Sequence, residues 1–121
     1  MYCAKVLIIE DEKDLAHTLR DALSSERPYP YDSRIALDGE DGLKLALNWR
    51  PDIILLDLAL PKLHGLSILR KIRYELSTTK ICIISGQDSL EDKLAGFREG
   101  SDDYLVKPFS YDELMARIRA L

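Results

Sequence analysis

Cysteine is scarce in this sequence. The two present, Cys3 and Cys82, lie in or beside apolar runs and form neither a Cys-x-x-Cys pair nor a Cys/His cluster. That excludes a sequence-encoded zinc site or disulfide framework and reads as two reduced, core-facing thiols. Long hydrophobic runs are missing as well. No stretch approaches the ~20 apolar residues of a membrane span. The short apolar start runs straight into Glu10, Asp11 and Glu12, which is unlike a secretory signal. A cytoplasmic protein with no membrane contact is expected. Positive charge is in the minority, with 17 basic against 21 acidic side chains and a net charge of −4. The basic group Arg70, Lys71 and Arg73 reads as an ordinary solvated helix face, so no direct nucleic-acid contact is expected. Finally, no G-x-G-x-x-G follows the first apolar run and no G-K-[ST] occurs, so a nucleotide- or flavin-binding reading lacks its phosphate cradle.

What is present is a regular alternation of strand-like and helix-like periods. With 121 residues, 46% of them hydrophobic, the chain reads as one domain over 1–121 that buries a core without staples. Strands are expected at Lys5–Ile9, Ser33–Ala36, Ile53–Asp57, Lys80–Ile84 and Tyr104–Val106. Helices are expected at Lys13–Ser25, Gly39–Asn48, about Leu66–Leu76 and Asp88–Arg98, the last carrying Leu90, Leu94 and Phe97 at helical spacing and stopping at Gly100. Ser110-Tyr-Asp-Glu113 reads as a capping box opening a final helix with Leu114, Ile118 and Leu121. Glu26–Tyr31 and Leu58–His64, the latter with Pro61, are loops. Strands each followed by a helix imply an α/β fold: a doubly wound parallel sheet with helices on both faces and right-handed crossovers.

In such a sheet a ligand site lies beyond the carboxyl ends of the strands. Those ends carry the chemistry here. Val6-Leu-Ile-Ile9 stops at Glu10 and Asp11, Asp52-Ile-Ile-Leu-Leu-Asp57 stops on a carboxylate, and the fourth and fifth strands deliver Ser85 and Lys107. Singly each has an ordinary explanation, as a loop acid, a turn serine, a solvated lysine before Pro108, or a strand aromatic in the case of Tyr104. Together, converging carboxylates are costly unless a divalent cation or a phosphoryl group neutralises them. Three carboxylates make a hard oxygen environment suited to Mg²⁺. A carboxylate is also a nucleophile towards phosphorus, and the hydroxyl and ammonium can cover phosphoryl oxygens.

These segments, with Ile84-Ser85-Gly86 and Gly100-Ser-Asp-Asp-Tyr-Leu-Val-Lys-Pro-Phe109, resemble the receiver domains of two-component response regulators over essentially the whole chain. The resemblance implies a flavodoxin-like five-stranded sheet in the order 2-1-3-4-5. It implies Asp57 as phosphoacceptor and Glu10, Asp11, Asp57 and the Ala59 backbone carbonyl as Mg²⁺ ligands. Ser85 and Tyr104 would be the switch pair and Lys107 the phosphoryl partner, with a cis bond before Pro108. Glu10 stands where Asp is more frequent, Gly86 where Ala is frequent, and the Glu26–Tyr31 loop is a few residues long for the family.

By the same resemblance a sensor histidine kinase is the phosphoryl donor, and the fourth helix, fifth strand and last helix are the switching face. Lys93, Asp102, Asp103, Glu113 and Arg117 resemble the OmpR/PhoB-type dimer face, with Lys93–Glu113 and Asp103–Arg117 pairs across a two-fold axis on phosphorylation. The ordinary reading of those charges is a solvated face. Transcriptional control would then run through a DNA-binding domain absent from the chain. A stand-alone receiver or a pseudo-receiver that only docks partners is the alternative. A turnover phosphatase of the haloacid-dehalogenase kind needs an acid two residues after the nucleophile, where this chain has Ala59, so a phosphoacceptor and not a turnover enzyme is expected.

Overall fold

A computed structural model describes residues 3–60 and 64–121, so Pro61 of the third loop lies outside the described residues. Strands β1 (Lys5–Ile9), β2 (Asp32–Ala36), β3 (Ile53–Asp57), β4 (Lys80–Ser85) and β5 (Asp103–Val106) alternate with helices α1 (Lys13–Ser24), α2 (Gly39–Trp49), α3 (Gly65–Glu75), α4 (Leu90–Arg98) and α5 (Tyr111–Ala120). All strand pairings are parallel, in the order β2-β1-β3-β4-β5, as expected.

The period of two along each strand divides the core into two layers. Leu7, Ile9, Ile54, Leu56, Ile81 and Ile83 face one side, where Ala46 of α2 and Ile68, Leu69 and Ile72 of α3 cover them. Val6, Ile8, Ile53, Leu55, Cys82 and Ile84 face the other, against Leu19 and Leu23 of α1 and Leu114, Met115 and Ile118 of α5. Strands covered on both faces need continuous apolar sequence, which is why β1 and β3 read as unbroken runs. Both cysteines are free, Cys82 in the core and Cys3 half-buried. Burial pushes the Cys82 thiol up to about 12, so it is inert as a nucleophile near neutral pH.

Three expectations need correction. The apolar stripe of α4 does not reach the core: Leu90, Leu94 and Phe97 are 70%, 45% and 45% exposed. The buried position on that helix is Gly96, where an added Cβ would lie 2.6 Å from Ile83 Cδ1, so small size lets the helix approach the sheet. Second, Arg70 and Arg73 are not merely a solvated face. Arg70 forms a fork with the Glu99 carboxylate, at 2.7 and 2.9 Å, and Arg73 bonds the carbonyls of Gly100, Leu76, Ser77 and Thr79. Third, the capping box forms by half. Ser110 Oγ accepts the Glu113 amide at 3.1 Å, but the Glu113 carboxylate turns to Arg117.

Candidate functional site

Glu10 continues the line of β1, its amide donating to the Ala36 carbonyl at 3.0 Å, and this draws its side chain under the sheet rim. It is completely buried, whereas Asp11 beside it is exposed. Asp57 ends β3 and is also buried. Glu10, Asp11 and Asp57 each offer an oxygen within 4.8 Å of the others. Lys107 follows β5, and its amide donates to the Ser85 carbonyl at 2.7 Å, one rung past the regular ladder. That rung aims the lysine back across the sheet. Lys107 Nζ lies 2.5 Å from Glu10 Oε1 and 3.4 Å from Asp57 Oδ2. The acids and the lysine expected from the ends of β1, β3 and β5 therefore meet.

Three carboxylates face one ammonium, so the cluster is short of positive charge. One of the acids responds with a raised proton affinity. Burial, reinforced by the neighbouring Asp57 carboxylate, raises Glu10 to about 7, against the opposing contacts from Lys107 and the Glu12 amide. Burial works against the Lys107 ammonium, yet its contacts with Glu10 and Asp57 outweigh it and raise its pKa. A hard, all-oxygen donor set with uncompensated negative charge fits a divalent cation such as Mg²⁺. The direct Lys107–Glu10 pair was not foreseen: the extra methylene of glutamate, relative to the commoner aspartate, gives the carboxylate its reach.

The remaining residues fall as follows. Ala59 is exposed and touches the cluster through its N–H, 3.1 Å from Asp57 Oδ1. Ser85, at the end of β4, is buried, and its Oγ accepts the Gln87 amide at 3.0 Å. Tyr104 is the residue that the resemblance pairs with Ser85. Its ring is already buried, and its hydroxyl donates to the Gln87 carbonyl at 2.8 Å. Gln87 thus bridges Ser85 and Tyr104 through its main chain, which no side-chain pattern could signal. The Lys107–Pro108 bond is cis as expected, and Arg27–Pro28 is cis as well.

The charges proposed for a dimer face pair within the chain. Lys93 meets Asp88 at 3.0 Å, and Arg117 meets Asp103 at 2.8 Å and Glu113 at 3.5 Å. Asp102 is apart from this group: its carboxylate accepts from Arg73 and from the Ile81 amide, both at 2.8 Å.

Gly86 follows Ser85 with nothing within 4 Å of an added Cβ and no left-handed φ. Gly86→Ala is expected to stabilise the fold by about 0.4–1 kcal/mol through the unfolded chain. A urea midpoint below wild type would contradict this.

Comparison with known proteins supports the same picture. The family model described as the response regulator receiver domain matches residues 6–119. The response regulator ArlR of Staphylococcus saprophyticus is 49% identical over 117 residues, covering 97% of this chain and 51% of the relative. ArlR of Staphylococcus aureus is 48% identical, with 97% and 52% covered. The chain thus spans about half the length of these relatives. The Francisella response regulator 1452 receiver domain superposes with a TM-score of 0.88 at 37% identity, covering 97% of this chain and 94% of that one. The chain belongs to the response regulator receiver domain family.

Proposed function

We propose that this receiver domain takes a phosphoryl group from the phosphohistidine of a sensor kinase onto Asp57, in the cytoplasm, and passes the change on through α4, β5 and α5. The observation that carries the reading is the cluster itself: buried Asp57, two further acids within 4.8 Å, and an ammonium 3.4 Å from its carboxylate.

In the transfer, an Asp57 oxygen forms a P–O bond as the donor P–N bond breaks, and the leaving imidazole takes a proton from solvent. Asp57 Oδ1 accepts the Ala59 amide and Oδ2 faces the Lys107 ammonium, so the carboxylate is oriented before the transfer. Glu10, Asp11, Asp57 and the Ala59 carbonyl would hold Mg²⁺, which supplies charge neutralisation at the phosphoryl oxygens. Lys107 exchanges its Glu10 contact for a phosphoryl oxygen. Ser85 donates its hydroxyl proton to another, while its oxygen keeps the Gln87 amide. Phosphorylation thereby stabilises the buried Tyr104 arrangement. A near-complete population shift needs about 5.5 kcal/mol. Charge-assisted bonds of about 1.5–3 kcal/mol each from Lys107 and Ser85 are of that order.

The exposed Leu90, Leu94 and Phe97 beside the Asp103–Arg117 pair favour a homodimer through this face. The ArlR likeness supports the OmpR/PhoB branch, with a DNA-binding domain as the output. With Ala59 where a general acid would be needed, the domain accepts phosphate and does not turn over substrate. The test is intact-mass analysis after exposure to a small phosphodonor. Wild type should gain one phosphoryl group with Mg²⁺ and none with chelator, and Asp57→Asn should gain none. Unchanged labelling of Asp57→Asn would refute the assignment.

A further inference from the structure

The loop of residues 26–31, between α1 and β2, takes no part in the acid cluster. It precedes β2, whereas the cluster follows β1, β3 and β5, so it lies at the opposite rim of the sheet. Two prolines and two tyrosines fall within it. Its base is closed: the amides of Glu26 and Tyr31 both donate to the Leu23 carbonyl, at 3.3 and 3.1 Å. Pro28 and Pro30 restrict φ within the span. The loop is therefore stiff, and a stiff surface loses little freedom when something binds to it.

Between this loop and the last helix lies a cavity of about 240 Å³. Tyr31 and Met115 line it and are anchored in the second core layer. Tyr29 lines it as well, yet is 68% exposed. The volume is below the roughly 300–1,000 Å³ of sites for drug-sized ligands, so the occupant is small. Met115 and Arg119 share one face of α5, and helical spacing puts Glu113 and Arg117 on the other. The cavity is thus separate from the Asp103–Arg117 side.

Its charges are unbalanced. Arg27 Nη1 donates to the Glu26 main-chain carbonyl at 2.9 Å and meets no carboxylate among the described residues. Arg119 Nη2 pairs with Glu26 Oε1 at 3.0 Å, and the arginine side chain is largely exposed. Two guanidiniums therefore share one carboxylate. The Tyr111 hydroxyl is buried near Glu26 without a hydrogen bond. Burial, with the Glu26 charge, raises its pKa and keeps it a donor. If Arg119 turns to a ligand, Tyr111 can replace it on Glu26.

We propose that this cavity binds a small aromatic carboxylate, its ring against Tyr29 and Tyr31 and its carboxylate on Arg27 and Arg119. A guanidinium fork matches a carboxylate, and tyrosine rings take another ring edge-on or offset. An uncharged ring leaves Arg27 unpaired, and a cation meets two guanidiniums. The site involves neither Asp57 nor a metal, so it stands independently of the phosphoacceptor reading.

The test is titration of the whole metal-free chain with benzoate at fixed ionic strength, followed by amide chemical shifts. Benzoate should move the amides of Arg27, Tyr29 and Tyr31 saturably, in the millimolar range, and leave those of Asp57 and Ala59 in place. Acetate carries the charge without the ring and benzyl alcohol the ring without the charge; each should bind about tenfold more weakly. Arg27→Gln and Tyr29→Ala change exposed side chains that cannot compromise the core. Each should weaken benzoate about tenfold. Glu26→Gln should tighten it, by removing a like charge and freeing Arg119. Benzylammonium bound as tightly as benzoate, loop shifts that do not saturate, or benzoate binding unchanged in Arg27→Gln would overturn the proposal.

Discussion

Metal-free protein should lose stability as the pH rises from about 4.5 through about 7, the opposite sense to a paired carboxylate, whose contribution grows with pH and is complete by the start of this window. The cause is Glu10. Burial, with the Asp57 carboxylate beside it, raises its pKa from an ordinary 4.5 to about 7. Between those values the folded chain keeps a proton that the unfolded chain has released. Folding then takes up a proton, so the free energy of unfolding falls as pH rises. Glu10's contribution is whole below the ordinary value and gone above the folded one. At about 1.4 kcal/mol per tenfold change in proton affinity, it is on the order of 3 kcal/mol. Lys107 is protonated on both sides of this window and adds no slope. Glu99, lowered by its fork with Arg70, titrates below it.

Mg²⁺ should reverse the trend. A cation among Glu10, Asp11 and Asp57 displaces the proton, so binding strengthens as pH rises and stabilisation grows where the metal-free chain weakens. Urea denaturation at about pH 5, 6, 7 and 8, with chelator and with saturating Mg²⁺, reads both slopes. Glu10→Gln cannot titrate and should flatten the chelator curve. A metal-free stability that is level or rising over this range would sink the account.

The sheet was legible because both faces of its strands are covered. Val6–Ile9 and Ile53–Leu56 had to be unbroken apolar runs, and the acids that end them had to emerge at one rim. The site was legible for the same reason, since strand ends in a parallel sheet are neighbours. What escaped the sequence has other causes. The stripe of Leu90, Leu94 and Phe97 has core-like periodicity, yet Gly96 on the opposite side seats the helix. Periodicity tells which residues share a face but not which face is buried. Arg73 looks like any surface arginine because its partners are mainly carbonyl oxygens, supplied by loops whose conformation no residue type announces. Tyr104 reads as an aromatic switch, but whether the ring sits in or out is decided by one main-chain acceptor at Gln87.

Gly65→Ala should destabilise the domain by about 2–3 kcal/mol, although alanine is the better helix former by about 1 kcal/mol. Gly65 opens α3 where it passes closest to the end of β3. A Cβ there would lie 2.5 Å from Leu58 Cα, 2.8 Å from the Leu58 oxygen and 3.0 Å from the Asp57 oxygen. Every one of these is backbone, and no rotamer change relieves the contact. Either α3 backs away and loses packing of Ile68, Leu69 and Ile72, or the chain at Leu58 moves. The second course drags Asp57 and the Ala59 amide that orients its carboxylate. Labelling by a small phosphodonor should accordingly drop in Gly65→Ala under conditions where the protein is still folded. The same one-carbon change at Gly86, which meets open space, should have the opposite sign. The contrast separates steric crowding from the general effect of replacing glycine. A Gly65→Ala protein within about 0.5 kcal/mol of wild type, labelled as fast, would show that the start of α3 can shift without disturbing the acid cluster.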